Sequence, residues 1–220
     1  MIKPSKLAYN PAFVASAPET NHVILMNTLS TFFPEGEQFF VNAVRAYREK
    51  LYASGKLERG STLDRDISTF IGHEAFHTIA HRALNDELYA RGYHNPKWLS
   101  VLKRVPLWPA LQATVVLEHY TGHLARWYFS IRHKLPPEVW ELWDYHAREE
   151  IDHEHVAASV ALLGPGASRS MFVPVSAVFL AVLAYYYVKN GGRMDTDLLS
   201  DLIGLIPVLA AYKPEDMAYA

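Results

Sequence analysis

Two short patterns in this chain place a carboxylate and an imidazole three residues apart: Glu74 with His77, and Glu150 with His153. On an α-helix that spacing puts both side chains on one face, where they can close on the same cation. Each pair sits in the middle of an otherwise apolar stripe. One stripe runs Leu63, Ile67, Phe70, Glu74, His77, His81, Leu84, Leu88; the other runs Val139, Trp143, His146, Glu150, His153, Ala157, Val160. Two further stripes carry a single acid each, Glu37 among Phe33, Phe40, Val44, Tyr47 and Leu51, and Glu118 among Leu111, Val115, Ala125 and Phe129. A buried, unpaired carboxylate costs several kcal/mol or takes up a proton. No Lys or Arg lies on these stripes to pair the acids, so cations are the better compensation.

The expected metal ligands are therefore Glu37, Glu74, His77, Glu118, Glu150 and His153. Four carboxylates neutralise two divalent ions, and the added imidazoles favour iron, with manganese or zinc as alternatives, over calcium. His81 and His146 each lie one turn from a ligand on the same stripe. They are secondary candidates, as extra ligands, as groups that orient a carboxylate, or as satisfied core histidines. His119 and His123 lie off the Glu118 stripe and read as packing or surface residues. Glu149, Asp152 and Glu35 read as surface or helix-end acids. Gly122 leaves room beside the centre, either for a small molecule or for close helix packing.

Long helices are needed to hold such a set. Residues 1–30, with Pro4, Pro11 and Pro18, carry no sustained period and read as an extended arm. A first helix is expected from near Pro34 to Ser54-Gly55, since proline suits a first turn. A second runs from the Ser61 cap to Gly92, a third from about Pro109 to Lys134, and a fourth from about Pro137 to Leu163. Two more are expected near 169–190 and 195–212. The short links within each pair and the longer 93–108 crossover predict an all-α, ferritin-like four-helix bundle over 31–163, with a C-terminal helical pair over 168–213, all in a single domain spanning 1–220.

Composition narrows the function classes. The absence of cysteine excludes disulfides, thiolate zinc sites and cysteine nucleophiles, leaving eleven histidines as the soft donors. A net charge of -2 gives no reason to expect nucleic acid. The opening residues Met1-Ile2-Lys3-Pro4 lack a secretory pattern, so a cytoplasmic protein is expected. Phe172–Val188 is apolar and near the minimum for a membrane span, but Pro174 and the Tyr185–Tyr187 run favour burial in the core or in a homodimer interface over membrane association.

Three segments carry a resemblance: Phe33-Pro34-Glu35-Gly36-Glu37-Gln38-Phe39-Phe40, Phe70-Ile71-Gly72-His73-Glu74-Ala75-Phe76-His77, and His146-Ala147-Arg148-Glu149-Glu150-Ile151-Asp152-His153. They are similar to those of the bacterial predicted metal-dependent hydrolases and, more widely, of ferritin-like di-iron carboxylate proteins. His73 departs from the glutamine expected before Glu74, which touches hydrogen bonding around the ligands rather than ligation. The leading expectation is a non-haem di-iron enzyme that uses dioxygen to oxidise a small organic substrate. A hydrolase working through a metal-bound water is the alternative, and a non-catalytic metal-binding protein the third.

Overall fold

The structure, a computed structural model, describes residues 9–218. No strand occurs among them. A short helix α1 (Pro11–Ala15) leads to α2 (Asn21–Ala53), capped by Thr20, whose side chain accepts the Val23 N–H. The first long helix thus begins thirteen residues before Pro34, and an extended arm over residues 1–30 is not what forms; residues 1–8 lie outside the described part. Pro34 lies inside α2, where it deprives the Ser30 carbonyl of its N–H partner. The Asn85 side-chain amide fills that gap, donating to Ser30 O at 2.8 Å. A proline that reads as a helix start is accommodated mid-helix because a neighbouring helix supplies the missing donor.

At its other end α2 stops as expected. Gly55 takes φ +69°, and the amides of Gly55 and Lys56 fold back to the carbonyls of Tyr52 and Leu51. The Ser61 side chain caps α3 (Thr62–Ala90), which returns against α2. A 3₁₀ segment, Lys97–Arg104, crosses to α4 (Leu107–Ile131), and α5 (Trp140–Leu163) returns against α4. The two antiparallel pairs pack together as a four-helix bundle.

The interior of the bundle has two apolar cores. One gathers Met26, Leu29, Leu84, Leu88, Leu142 and Trp143; the other gathers Phe40, Val44, Ile67, Phe70, Val115 and Val160. Between these stretches, every long helix contributes polar side chains to a buried layer.

Beyond the bundle lie α6 (Phe172–Lys189), α7 (Thr196–Ile203), α8 (Ile206–Ala210) and α9 (Pro214–Met217). The expected 195–212 helix is divided into α7 and α8 near Gly204, with Pro207 at the start of α8. Helix α6 is not a core helix of its own chain: Ser176, Tyr186 and Tyr187 are its buried residues, while Val173, Val178 and Val188 are 62–70% exposed. By length and composition it can cross a membrane.

Candidate metal centre

The polar layer holds all six residues expected from the stripes. Glu37 comes from α2, Glu74 and His77 from α3, Glu118 from α4, and Glu150 and His153 from α5; none is more than 2% exposed. Donor atoms of Glu74, His77, Glu150 and His153 all lie within 4.8 Å of one another. Glu37, His81 and His146 form a second group of the same tightness. Glu118 falls in neither group, but its carboxyl is fully buried and electrostatically felt by Glu74, Glu150 and Glu37.

The bonding within this layer is incomplete in a telling way. Glu37 Oε1, both oxygens of Glu74 and of Glu118, Glu150 Oε2, His77 Nδ1 and His153 Nδ1 are buried without hydrogen-bond partners. His153 Nδ1 stands 2.7 Å from Glu74 Oε1 without hydrogen-bond alignment, and His77 Nδ1 stands 3.3 Å from Glu150 Oε1. Orphaned buried polar atoms are expensive, and here they are concentrated on acids and imidazoles that converge from four helices. This donor set fits cations: the two groups can hold two metal ions.

Electrostatics say the same. Burial, then repulsion from the neighbouring glutamates, pushes Glu37, Glu74 and Glu118 above the usual carboxylate range. Against its own burial, Glu150 is held well below that range by the charged His153 and His77 imidazoles. Also against burial, the hydrogen bond to Glu149 and the nearby Glu150 and Glu74 carboxylates raise His77 to about 10, and Glu74 and Glu150 raise His153. Protons thus do in the metal-free protein what cations do better.

Each histidine is oriented from behind. His77 Nε2 lies 2.9 Å from Glu149 Oε2; a carboxylate can only accept, so Nε2 keeps its proton and Nδ1 is the atom free to meet a metal. His153 Nε2 lies 3.2 Å from His73 Nδ1, and His73 Nε2 stands 3.5 Å from the other Glu149 oxygen. Glu149 is therefore not the surface acid its position off the stripe suggests. One step round α5 from Glu150, it reaches across to α3 and anchors two imidazoles.

A second chain fixes His146. Asn85 must present Nδ2 to the Ser30 carbonyl, so its Oδ1 accepts from Ser30 Oγ at 2.7 Å. With its single proton so used, Ser30 Oγ accepts from His81 Nδ1 at 2.8 Å. His81 Nε2 then carries a lone pair and accepts from His146 Nδ1 at 2.9 Å. Burial, then neighbouring imidazoles, holds His81 well below its usual value and His146 down at about 3, so both rings are neutral. His146 Nε2 is left bare, 3.3 Å from Glu150 Oε1. Two lone pairs facing each other at that distance repel unless a cation lies between them.

Thr78 Oγ1 donates to Glu37 Oε2 at 2.9 Å and turns Oε1 inward. Thr78, Ser30, Asn85 and Glu149 are residues bonded to the centre that stripe reading missed; His73 bonds where its departure from glutamine marks it. Ser30 was hidden in a segment with no evident helix, and Asn85 sits one turn beyond His81 with nothing in its local sequence to mark it. His119 and His123 stay apart from the centre: His119 Nδ1 bonds Glu154 Oε1 at 2.8 Å, and Arg126 approaches the other Glu154 oxygen at 3.5 Å. A Cβ on Gly122 would meet Arg126 Nη1 at 3.3 Å and Glu154 Oε2 at 3.4 Å. The glycine makes room for that ion pair and for the close approach of α5, not for a small molecule.

The model of one protein family matches residues 8–212, almost the whole chain. The chain belongs to the predicted metal-dependent hydrolase family. Neither a curated protein nor a solved structure matches it. The metal dependence in the family's description has a physical counterpart in the two buried donor groups.

Proposed function

We propose that this predicted metal-dependent hydrolase is a dinuclear metal enzyme whose centre takes iron and uses dioxygen to oxidise a small organic substrate. The ligands are Glu37, Glu74, His77, Glu118, Glu150 and His153, with His146 as a seventh through Nε2 and His81 as its orienting partner. The observation that carries the reading is the donor set: four buried glutamates with unpaired oxygens and no buried Lys or Arg among them. Such a set balances the charge of two divalent ions and favours a more oxidised pair. It also weakens the acidifying pull on a bound water that hydrolysis requires, a pull that sites rich in neutral imidazoles preserve.

When bound, the metals supply electron transfer to dioxygen. The chain's own contribution is positioning: Glu149 keeps the proton of His77 on Nε2, Thr78 turns Glu37 inward, and the Ser30–Asn85 pair keeps that of His146 on Nδ1. The two apolar cores exclude bulk water from either side of the layer.

Hydrolysis, named in the family's description, is the second reading. Loading apoprotein anaerobically with Fe(II) and then admitting oxygen separates the two. Stoichiometric oxygen uptake with a Mössbauer change to a coupled ferric pair supports the oxidase. Ester or amide cleavage by the zinc-loaded protein, with no oxygen uptake by the iron form, overturns it.

A further inference from the structure

Beside the metal centre lies an apolar groove with a cavity volume of about 390 Å³, walled by α2, α4 and α6 and roofed by the 3₁₀ segment. Its lining is almost wholly hydrocarbon, including Phe32, Phe39, Leu102, Leu117, Val178 and Phe179. Two of its walls are the helices that carry Glu37 and Glu118. Phe33, Gly36 and Phe40 of the lining flank Glu37, while Leu117 and Thr121 flank Glu118. The groove adjoins a smaller space. Leu29, Phe33, Thr121 and Leu124 are shared with a second cavity of about 30 Å³, and His146 lines that smaller space. Phe33 packs against the same histidine, with ring centroids 4.6 Å apart and the planes tilted by 34°.

We propose that this groove binds a free, single-chain aliphatic molecule and points it at the metal centre. Its role as substrate rests on the function proposed above; its binding does not. The pair of adjoining cavities selects the occupant, since a partner helix about 10 Å across can fill the larger one but not a space the size of a water molecule or two, whereas a methylene chain is narrow enough for either. The hollow is made by small residues in the walls, Gly36 and Ala113. A Cβ on Gly36 would meet nothing within 4 Å, so the space there is open.

The test is calorimetric titration of apoprotein and of zinc-loaded protein with monomeric fatty acids from octanoate to palmitate. Saturable one-to-one binding is expected, tightening about fourfold per added methylene until the groove is full. Gly36→Leu and Ala113→Phe fill the groove; each should weaken palmitate binding at least about tenfold while metal content and melting temperature stay at wild-type values. Gly36→Leu also improves helix propensity, so loss of binding there is not loss of fold. Absence of saturable binding, affinity independent of chain length, or wild-type affinity in both variants overturns the proposal. So does sedimentation with phosphatidylcholine vesicles that palmitate does not displace, or a dimer on gel filtration in which palmitate finds no site. Metal stoichiometry is measured on the same samples. Chain binding without two metals sinks the proposed function and leaves the groove; two metals without chain binding does the reverse.

Discussion

Two sets of buried acids in this bundle obey opposite rules. Near the start of α3, the Asp64 carboxylate is 6% exposed and fully engaged: Arg48 Nε reaches it at 2.8 Å, the Gly60 amide at 2.7 Å, and the Tyr52 hydroxyl also donates to it. The Tyr52 hydrogen bond, the Gly60 amide and the Arg48 guanidinium hold it at about 2 despite burial. About three turns further along α3, Glu74 and, across the bundle, Glu37 and Glu118 are buried more deeply but keep orphaned oxygens and are raised. A compensated acid holds a fold together; an uncompensated group of acids marks where the fold is held for something else.

The contrast can be broken most directly by deletion. Glu74→Ala should abolish the binding of two metals per chain, measured by elemental analysis, while leaving the apoprotein's melting temperature unchanged or higher; Glu150→Ala should abolish the binding as well. Asp64→Ala should do the opposite, costing about 2 kcal/mol in denaturant unfolding through its lost charged hydrogen bonds, with metal stoichiometry intact. Both variants behaving alike would erase the distinction. Next in size, Glu149→Ala should weaken metal affinity about 10–100-fold, because His77 and His73 lose the carboxylate that orients them. Wild-type affinity there would return Glu149 to the surface role its sequence position suggests.

A smaller effect is expected from Ser30→Ala. Removing the hydroxyl releases the tautomer of His81, and nitrogen NMR of His146 should then report mixed Nδ1-H and Nε2-H forms in place of one. The smallest is a matter of sign in pH dependence. Asp64 is depressed, so its stabilisation is present above the ordinary aspartate value and lost as pH falls through about 2. Glu37 and Glu118 are raised, so in the apoprotein their contribution is full below about 4.5 and lost as pH rises through their folded values. Melting curves of apoprotein should therefore decline with rising pH above about 6.5, where the depressed His81 and His146 no longer offset the loss, and saturation with metal should remove the decline.

What could be read from sequence followed the helical period. Glu37, Glu74, His77, Glu118, Glu150 and His153 were legible because each replaces an apolar residue on a long stripe, and a polar residue at such a place has to be explained. The all-α class followed from the same stripes. The rest depended on contacts between helices. Pro34 carries a strong local signal for a helix start, and only Asn85, fifty-one residues later, makes its interior position tolerable. Glu149 lies about 100° from Glu150 round the helix, which reads as solvent unless α3 is known to pass beside it. Phe172–Val188 shows the converse limit: composition identifies an apolar helix, while its use as one wall of a groove depends on what stands opposite.

The proline in α2 has a further consequence, for assembly. Two long antiparallel helices with repeating apolar stripes can pair in several registers, offset by a turn or a heptad, at modest cost in packing. The gap that Pro34 opens in the α2 ladder has one matching donor on α3. In any shifted pairing the Ser30 carbonyl and the Asn85 amide would be buried without each other, a loss of about 1–3 kcal/mol for each orphaned group. The defect therefore serves as an alignment mark. It admits one offset between α2 and α3, the one that brings Glu37 level with Thr78, between Glu74 and His81.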